Sequence, residues 1–598
     1  MSNSTIAFND FGNKRVKNLP KHLRQYVVDQ NYPKYSPIDQ SVWRYVMRQN
    51  YSYLKDTAYY PYIPGLKAAG LVIDKIPSLQ DMNDSLGKIG WGAVTVDGFI
   101  PPAAFMEYQA YKVLVIAADI RQVNHIEYTP APDIIHESAG HAPIIAEKEY
   151  ADYLSTIGEV GAKAMFSFAD YQQYEAIRHL SIVKENPNAT KEEIAFAERD
   201  LEEKNSNLGD PSEMALLSRL HWWTVEYGLI GTLENPKIYG AGLLSSIGEA
   251  YSCMQPNVKK LWYDEETINY SYDITKPQPQ LFVTPNFQHL TDILEKFSNK
   301  MSFKRGGLYG MNQAIESKGT CTAVLSSGAQ VSGVFVVADA HNDDQPYFIR
   351  VEGQAQLSYD YKQLPQQGKT THLNGLSAPV GRIIGFEKPL EDFSETELQR
   401  HKIVKGNKVN LLYECGIQLE GVVKSVTRFA NGKVGMITFK NCTVTSPNEG
   451  VLYSSDETDY DMAVGQKVVS VFYGSADKDA YDEIAYVAKE TTVKPVYTDK
   501  TRKLLGLYAS IRERRDLKVP SLDFRSIFNT LQEEFPEDWL LAMELLELLE
   551  MNKNNPELAI EIQEYLISKM DNEKQNQKLI ADGLNLIYNT GIEAVVQE

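Results

Sequence analysis

The chain has 598 residues, which is too long for a single hydrophobic core and predicts several domains. Apolar residues make up 43% and charged residues 23% of the sequence, an ordinary balance for a globular protein that excludes a largely disordered chain. The formal net charge of −19 would repel phosphate backbones and no basic stripe stands out, so nucleic acid is not expected as a partner.

The start of the chain and the cysteines indicate the cellular compartment. Residues 1–20 are polar and lack the apolar core of a secretory signal, and no apolar run reaches the length of about 18 residues that a membrane span needs. Cys253, Cys321, Cys415 and Cys442 form no CxxC pair and are interpreted as buried free thiols. We therefore expect a cytoplasmic protein without a membrane contact.

Residues 1–305 are predicted to form a mainly α-helical domain. Apolar residues recur three and four apart in three stretches of this part, 22–30, 41–54 and 102–116. Thr190 and Glu193 form the capping box of a further helix. Ser212 precedes a long apolar segment, 213–230, which we expect to be a mostly buried helix.

Residues 306–490 change to short β-rich runs between turn residues, and we predict a β-rich domain of unknown role. The runs are 331–337, 347–351, 381–386, 409–413 and 434–439. Asn431-Gly432 between two runs predicts a hairpin. The segments 327–334 and 415–422 resemble each other, which indicates either two related, barrel-like β units or a chance match of short hairpin patterns.

Residues 491–598 return to helical spacing and are predicted to form an α-helical bundle. The predicted helices cover 504–514, 524–534, 538–550 and 558–570, with prolines between them. No motif assigns a function to the C-terminal half of the chain. It is a candidate for self-association, for sensing a metabolite or for binding a protein partner.

The motif Pro132-Asp-Ile-Ile-His136-Glu137-Ser-Ala-Gly-His141-Ala-Pro143 places two histidines in an apolar segment. A buried imidazole needs partners for its nitrogens, which a metal ion or hydrogen bonds within the core can supply. The spacing of five differs from that of the HExxH zinc motif and would rotate the second ring by about 140° on an ideal helix. Gly140 would let the helix deform or end, so that His141 turns back toward His136.

Glu226 is the candidate for a third ligand. It lies in Trp222-Trp-Thr-Val-Glu-Tyr-Gly-Leu229, an apolar stretch in which an unpaired carboxylate is costly. Two histidines and one carboxylate on one face of an octahedron form a non-haem iron site with open positions. The alternative is an ion pair between Glu226 and Arg219, and the spacing alone leaves both interpretations open.

Three blocks of the sequence, in this order, resemble the pterin-dependent aromatic amino acid hydroxylases. They are residues 128–143, residues 222–229 and Tyr239-Gly-Ala-Gly-Leu-Leu-Ser-Ser-Ile-Gly-Glu249. The resemblance covers roughly residues 30–290 and implies that His136, His141 and Glu226 bind Fe(2+). It also implies a tetrahydropterin, which supplies electrons, and O2 as the co-substrate. The cofactors then carry the redox chemistry, while the protein supplies geometry and excludes water.

The resemblance also implies the residues that bind the amino acid substrate. Arg121 matches the arginine that binds the substrate carboxylate, for which a guanidinium fork is well suited. The other substrate-binding residues implied are Thr129, Pro132, Trp222, Ser245 and Glu249. Pro132 and Trp222 among them match walls of the pocket for the aromatic ring.

On the pterin side, the resemblance implies that Phe105 stacks on the pterin ring. Gly98, Phe99 and Ile100 match the loop whose backbone hydrogen-bonds the pterin edge. Glu137 matches a catalytic carboxylate that helps to position the pterin.

The chain departs from the family pattern in three places. The interval between His141 and Glu226 is longer than in the animal enzymes, which predicts an inserted helical excursion near 160–210. His221 stands where the animal enzymes have tyrosine. The animal enzymes also lack a counterpart of residues 306–598, so regulation and assembly are not carried over. A chain ending near residue 305 is expected to keep some activity.

Trp222 resembles the phenylalanine and tyrosine enzymes more than the tryptophan enzymes. We expect conversion of L-phenylalanine to L-tyrosine, with hydroxylation of tyrosine or tryptophan as the alternatives within the family. Two hypotheses belong to other classes. A zinc hydrolase with Glu137 as its base is disfavoured by the histidine spacing, and a non-catalytic scaffold is disfavoured because the ligands and Arg121 are intact.

Overall fold

The computed structural model describes residues 8–60, 62–97, 100–127, 132–185, 189–272, 277–341, 344–481, 498–517, 523–572 and 576–589. Within these ranges, no helix combines the length and the apolar character needed to cross a membrane. All cysteines are free; Cys253, Cys321 and Cys442 are buried as expected, and Cys415 is half-buried.

Helices account for most of the chain up to residue 317. They are α1 (Lys14–Lys17), α2 (Lys21–Arg24), α3 (Pro37–Thr57), α4 (Tyr62–Ala68), α5 (Leu79–Leu86), α6 (Pro102–Ala110), α7 (Lys148–Gly161), α8 (Phe168–Glu185), α9 (Lys191–Ser206), α10 (Glu213–His221), α11 (Ala241–Leu244), α12 (Ile247–Ser252), α13 (Phe287–Ser298), α14 (Ser302–Arg305) and α15 (Gly307–Ser317). Two further helices, Ile135–His141 and Trp222–Glu226, are π-helices.

Two small sheets lie among these helices. The strands are β1 (Val27–Val28), β2 (Gly92–Val96), β3 (Val113–Ala117), β4 (Leu229–Gly231), β5 (Pro236–Ile238), β6 (Lys259–Trp262) and β7 (Gln280–Thr284). The first sheet has the order β1-β2-β3, and the second has the order β5-β4-β7-β6. The predicted helical domain is therefore mainly, but not purely, helical.

Two of the helix predictions in this part are confirmed. The stretch 41–54 lies within α3, where Ser36 and Asp39 form a capping box. Thr190 and Glu193 form the predicted capping box of α9. Helices α8 and α9 pack against each other in the part of the chain where the helical excursion is expected.

Two helix predictions are wrong in their second halves. In 22–30 the helix α2 ends at Arg24, before β1, and in 102–116 the helix α6 ends at Ala110, before β3. Every residue of β3 is buried, so this strand has no alternation of apolar and polar residues. A short apolar run of this kind resembles a buried helix in sequence.

The middle of the chain contains two larger antiparallel sheets. Their strands are β8 (Thr320–Leu325), β9 (Ala329–Asp339), β10 (Phe348–Tyr359), β11 (Lys362–Gln363), β12 (Leu376–Pro379), β13 (Lys408–Leu412), β14 (Gln418–Arg428), β15 (Val434–Ser446), β16 (Gly450–Ser455), β17 (Tyr460–Ala463) and β18 (Val468–Tyr473). One sheet has the order β11-β10-β9-β8-β18 with β12 on β10, and the other has the order β13-β14-β15-β16 with β17 on β15. Each sheet has its own apolar core.

Most of the predicted β runs coincide with strands, and 381–386 does not. Within 381–386, Ile383 forms a lone bridge with Tyr413. Gly381 and Gly385 have φ angles of +135° and +84°, which interrupt an extended strand. The predicted hairpin at Asn431-Gly432 is confirmed between β14 and β15, with a φ of +85° at Gly432.

The two similar segments hold equivalent positions in the two sheets. Each leads from a turn into a long strand, 327–334 into β9 and 415–422 into β14. Gly328 and Gly416 occupy the turns with φ angles of +95° and +91°. This correspondence favours two related β units over a chance match. Helix α15 packs on β9 and β18 of the first of these two sheets. The β unit formed by this sheet therefore begins with a helix, and its first strand starts at Thr320.

The remaining helices are α16 (Glu395–Arg400), α17 (Lys478–Tyr481), α18 (Asp499–Leu517), α19 (Phe524–Glu534), α20 (Trp539–Asn552), α21 (Pro556–Asn572) and α22 (Gln577–Asn589). Helices α18 to α22 form the predicted C-terminal bundle; α22 is the member that the sequence did not predict. Both α18 and α22 pack against α3. Val42 and Tyr45 of α3 share one apolar core with Trp539 and Ile580 of the bundle.

Candidate metal centre and active site

Both segments that carry the predicted metal ligands are π-helices. His136 and His141 lie in Ile135–His141, and Glu226 ends Trp222–Glu226. A π-helix bonds each residue to the one five positions on, which brings side chains five apart toward one side. The deformation that the histidine spacing predicted is thus present. The predicted helix over 213–230 is correspondingly divided into α10, a π-helix and β4.

Glycines allow the segment around α11 to lie against both π-helices. A Cβ atom on Gly140 would stand 2.6 Å from the carbonyl oxygen of Ala241, and one on Gly240 would stand 2.5 Å from that of Glu226. Both distances are shorter than real Cβ contacts. The glycine next to His141 is therefore needed for close packing on Ala241.

The three ligand side chains meet at one point. One donor atom from each of His136, His141 and Glu226 lies within 4.8 Å of the other two. The Nε2 atoms of the two histidines are each 3.3 Å from a carboxylate oxygen of Glu226. Both ring nitrogens of His141 are buried without a hydrogen-bond partner among the described residues. Buried nitrogens of this kind, facing a carboxylate, fit a divalent metal ion.

The charge of Glu226 is suited to a metal. Burial alone would raise the pKa of this carboxyl group, but His141 and His136 outweigh burial and hold the pKa well below its usual range. Arg219, the alternative partner of Glu226, instead donates to the carbonyl oxygen of Ile268. Glu226 therefore faces the two histidines and does not pair with Arg219.

Ser245 sets the orientation of the His136 ring. Its Oγ is 2.8 Å from the carbonyl oxygen of Ala241 and 3.0 Å from Nδ1 of His136. Because the hydroxyl proton is donated to Ala241, the Oγ atom accepts from Nδ1–H of His136. The Nε2 atom then carries the lone pair and faces Glu226. Ser245, expected at the substrate, is thus a partner of the metal ligand.

Two titratable groups beside the ligands are neutral at pH 7. Burial raises the pKa of Glu137 to about 8, with Oε2 3.8 Å from Nε2 of His141. Burial lowers the pKa of His221 to about 4, with Nδ1 4.0 Å from Glu226. Of the two carboxyl groups, Glu226 is thus the one held ionised and Glu137 the one held neutral.

On the expected substrate side, Arg121 is bound to Asp133. The Nε and Nη2 atoms of Arg121 donate to the two carboxylate oxygens, each at 2.8 Å, and both side chains are buried. Asp133 also accepts from the backbone N–H of His136 at 3.0 Å, so it connects the arginine to the first metal ligand. Asp133 was not predicted as a site residue, although it lies in the histidine motif. Pro132 is exposed, and Thr129 lies outside the described residues.

The expected ring pocket contains a stack of aromatic side chains. Trp222 stacks on Tyr227 at 4.6 Å and on Tyr272 at 4.4 Å between ring centroids. The Tyr227 hydroxyl donates to Oε2 of Glu249 at 2.5 Å. Burial raises the pKa of Glu249. The sequence indicated Trp222 and Glu249 but neither tyrosine. Tyr272 comes from another segment, and Tyr227, although it lies in the same block as Trp222, carries no sign of stacking in the sequence.

On the expected pterin side, two residues of α6 contact His221, which lies beside Glu226. The Phe105 ring lies edge-on to the His221 ring at 5.9 Å, and Nε2 of Gln109 is 3.3 Å from Nε2 of His221. Ile100 is half-buried, while Gly98 and Phe99 lie outside the described residues. The pterin-binding and substrate-binding roles stay predictions.

Comparison with known proteins finds matches to one family in the first part of the chain. The sequence profile described as "Biopterin-dependent aromatic amino acid hydroxylase" matches residues 8–168 and 193–316. The interruption, 169–192, contains most of α8. Phenylalanine-4-hydroxylase of Pseudomonas aeruginosa is 27% identical over 278 residues, which are 46% of this chain and 89% of the relative. The human phenylalanine-4-hydroxylase is 27% identical over 272 residues, 44% of this chain and 50% of the relative.

Solved structures of Chromobacterium violaceum phenylalanine hydroxylase cover a similar share of the chain. The structure with bound iron(III) and 7,8-dihydrobiopterin covers 46% of this chain and 85% of its own, at 25% identity and a TM-score of 0.37. The family assignment depends on the sequence matches and not on this overlap. Residues 8–168 and 193–316 match the biopterin-dependent aromatic amino acid hydroxylases, and these matches indicate a pterin-dependent oxidoreductase.

Proposed function

We propose that the protein converts L-phenylalanine to L-tyrosine, using O2, a tetrahydropterin and Fe(2+) bound by His136, His141 and Glu226. The observation that carries this proposal is the buried group of two imidazoles and one carboxylate, with donor atoms within 4.8 Å of one another. This ligand set is typical of non-haem iron oxygenases and leaves coordination positions open.

The named relatives support the choice of cofactors and substrate. Several are phenylalanine-4-hydroxylases, and the C. violaceum enzyme has been solved with iron and dihydrobiopterin and with iron and phenylalanine. When bound, iron and pterin supply the redox chemistry that activates O2. In the balanced reaction the substrate ring would take up one oxygen atom of O2, and the tetrahydropterin, as the two-electron donor, would take up the other.

The side chains of the protein prepare the site for this reaction. Ser245 holds His136 with Nδ1 protonated and Nε2 free for the metal, and Glu226 supplies the negative charge. Three of the five N–H groups of Arg121 are engaged, by Asp133 and the carbonyl oxygen of Ile126. The other two have no partner among the described residues and would be available to a substrate carboxylate. Asp133 would then be the positioning residue that holds Arg121 in place.

The aromatic stack favours phenylalanine over the larger indole of tryptophan. Trp222 is fixed between neighbouring rings, with interplanar angles of 25° to Tyr227 and 11° to Tyr272. A tryptophan held in this way is a large, rigid wall, as expected for an enzyme acting on a single ring. Tyrosine as the substrate is the alternative that an assay must separate from phenylalanine.

The test is a product assay on the full-length protein. Protein loaded with ferrous iron is given O2, a tetrahydropterin and one of phenylalanine, tyrosine or tryptophan, and the products are separated by chromatography. We expect tyrosine from phenylalanine as the main product. Preferred hydroxylation of another amino acid would overturn the substrate, and no hydroxylated product from any of the three would overturn the function.

Replacement of Glu226 by alanine tests the metal ligand. Glu226→Ala is expected to lower the rate of hydroxylation by at least about 100-fold, because one of the three ligands is lost. Glu234→Ala, which removes an exposed glutamate eight positions further on, is the matched control and should keep the wild-type rate. Circular dichroism should show both variants folded. Retained turnover in Glu226→Ala would mean that the ligand is misassigned.

A further inference from the structure

The junction between the C-terminal bundle and α3 contains a buried cluster of charges. Arg44 and Arg48 of α3 and Arg515 of α18 surround Glu544 and Glu547 of α20. Each of these side chains is less than a tenth exposed. Arg48 Nη1 is 2.8 Å from Glu547, Arg515 Nη2 is 2.7 Å from Glu544, and Arg44 pairs closely with Glu547.

Such a cluster fixes the position of α3 more strictly than apolar packing does. Buried ion pairs tolerate little displacement, because a separated partner would be left as an unpaired charge away from water. Tyr45 adds two contacts with the bundle. Its hydroxyl donates to the carbonyl oxygen of Leu579 at 2.5 Å, and its ring meets Trp539 edge-on at 5.2 Å. The bundle thus determines where α3 lies.

The same helix holds the segment next to a metal ligand. Asn50, which is 2% exposed, donates from Nδ2 to the carbonyl oxygen of Leu244 at 3.1 Å. Leu244 directly precedes Ser245, whose Oγ bonds Nδ1 of His136 at 3.0 Å. Tyr45 and Asn50 are five residues apart, about 7.5 Å along the helix axis. A continuous path of hydrogen bonds and covalent bonds therefore leads from Leu579 of the bundle to His136.

We propose that the C-terminal bundle is a positioning element of the metal centre, which acts through Tyr45 and Asn50 of α3 on the Leu244–Ser245 backbone and so on the His136 ring. This inference rests on the metal centre of the proposed function. It assigns a role to helices that the family match, which ends at residue 316, does not cover. Asn50 is a positioning residue, because it acts on the metal ligand through Ser245.

The test uses Co(II) as the probe on the full-length protein, with affinity and visible absorption as readouts that do not depend on turnover. Asn50→Ala is expected to weaken Co(II) binding by about tenfold and to shift the absorption bands, because the backbone that holds Ser245 is released. Tyr45→Phe, which keeps the ring and removes the hydroxyl, should change both readouts in the same direction by a smaller factor. In a Ser245→Ala background, Asn50→Ala should add little, because both variants act along one path.

Asn83→Ala is the matched control. Asn83 is also 2% exposed and bonds backbone groups, but it lies on α5 and holds Ala93 of β2. Its variant should unfold at a lower temperature and bind Co(II) as the wild type does. Wild-type affinity and spectrum in both Asn50→Ala and Tyr45→Phe would overturn the proposal, as would an equal loss in Asn83→Ala. Failure of the wild type to bind Co(II) would overturn the metal centre itself.

Discussion

Gly140 shows how closely the ligand geometry depends on single residues. Its backbone faces Ala241, and an added Cβ would come within 2.6 Å of a carbonyl oxygen and 3.1 Å of the Ala241 Cβ. Neither atom is the end of a flexible side chain, so the helices would have to move apart. The residue that moves with Gly140 is His141, its neighbour in the π-helix.

We expect Gly140→Ala to destabilise the protein by about 1–3 kcal/mol and to weaken Co(II) binding, because overpacking displaces His141. Thermal unfolding and a Co(II) titration measure the two effects. The control is Gly506→Ala in α18, where a Cβ would meet no atom within 4 Å. Helix propensity predicts that this control gains about 0.5–1 kcal/mol and leaves the metal affinity unchanged. Tight Co(II) binding by Gly140→Ala would contradict the role given to this contact.

Residues of the candidate site differ in how far the sequence revealed them. His136 and His141 stood out because two imidazoles in an apolar segment need partners. Glu226 stood out less, since an ion pair with Arg219 explained it equally well until the fold separated the two. Asp133 and Tyr272 were not indicated at all. Their roles consist of contacts with Arg121 and Trp222, which periodicity and composition do not encode.

At the scale of elements, a junction of α2, α6 and α17 surrounds His22. Nε2 of His22 is 3.0 Å from Glu107 and Nδ1 is 2.8 Å from Asp479, while Lys478 lies 2.7 Å from Glu107. Burial alone would lower the pKa of His22, but the bonds to Glu107 and Asp479 outweigh burial and the repulsion of Lys478, and raise it above 6.5. Burial alone would raise the pKa of Glu107, but Lys478 and His22 outweigh burial and lower this pKa to about 2.

This junction predicts a stability that falls as the pH rises. A folded-state pKa above the unfolded value means that protonated His22 stabilises the fold. The contribution is complete below pH 6.5 and is lost as the pH rises through the raised pKa, whereas Glu107 stays ionised. The unfolding temperature of the wild type should therefore decline more between about pH 6 and pH 9 than that of His22→Gln. The exposed histidine of α8 provides the control, and His179→Gln should keep the wild-type slope. Equal slopes in wild type and His22→Gln would refute the prediction.

Helices and strands were predictable to the extent that they carry local signals. The apolar spacing over 41–54 predicted part of α3, the capping box at Thr190 predicted the start of α9, and Asn431-Gly432 predicted a hairpin. The deformation at Ile135–His141 was foreseen, though not its type, whereas Trp222–Glu226 was predicted as part of a continuous helix. The segment around α11 packs against both π-helices, and it is distant in sequence from Ile135–His141.

For the whole molecule, the shared core of α3 and the bundle changes the expectation for a shortened chain. A chain ending at residue 305 was expected to keep some activity. Without the bundle, Arg44 and Arg48 lose their carboxylate partners, and Tyr45 loses its contact with Trp539. The apolar face of α3 would be open to water or to other chains.

We therefore expect a chain ending at residue 497, which lacks only the bundle region, to aggregate or to unfold at least about 10 °C below the full-length protein. Size-exclusion chromatography and thermal unfolding measure both outcomes. Addition of residues 498–598 as a separate chain should restore part of the loss. A monodisperse chain 1–497 with the full unfolding temperature would show that the bundle is dispensable for the fold.

The sequence by itself indicated the candidate ligands, which are two histidines and a glutamate in blocks typical of one family, and the order of helical, β-rich and helical parts. These features are local, because a ligand type, a capping box or a turn glycine is visible within a few residues. The tertiary structure decided how the parts depend on each other. Arg44 and Glu547 are 503 positions apart, and Asn50 and Leu244 are 194 apart. Contacts at such separations follow from the packing of whole elements, so no local pattern predicts them.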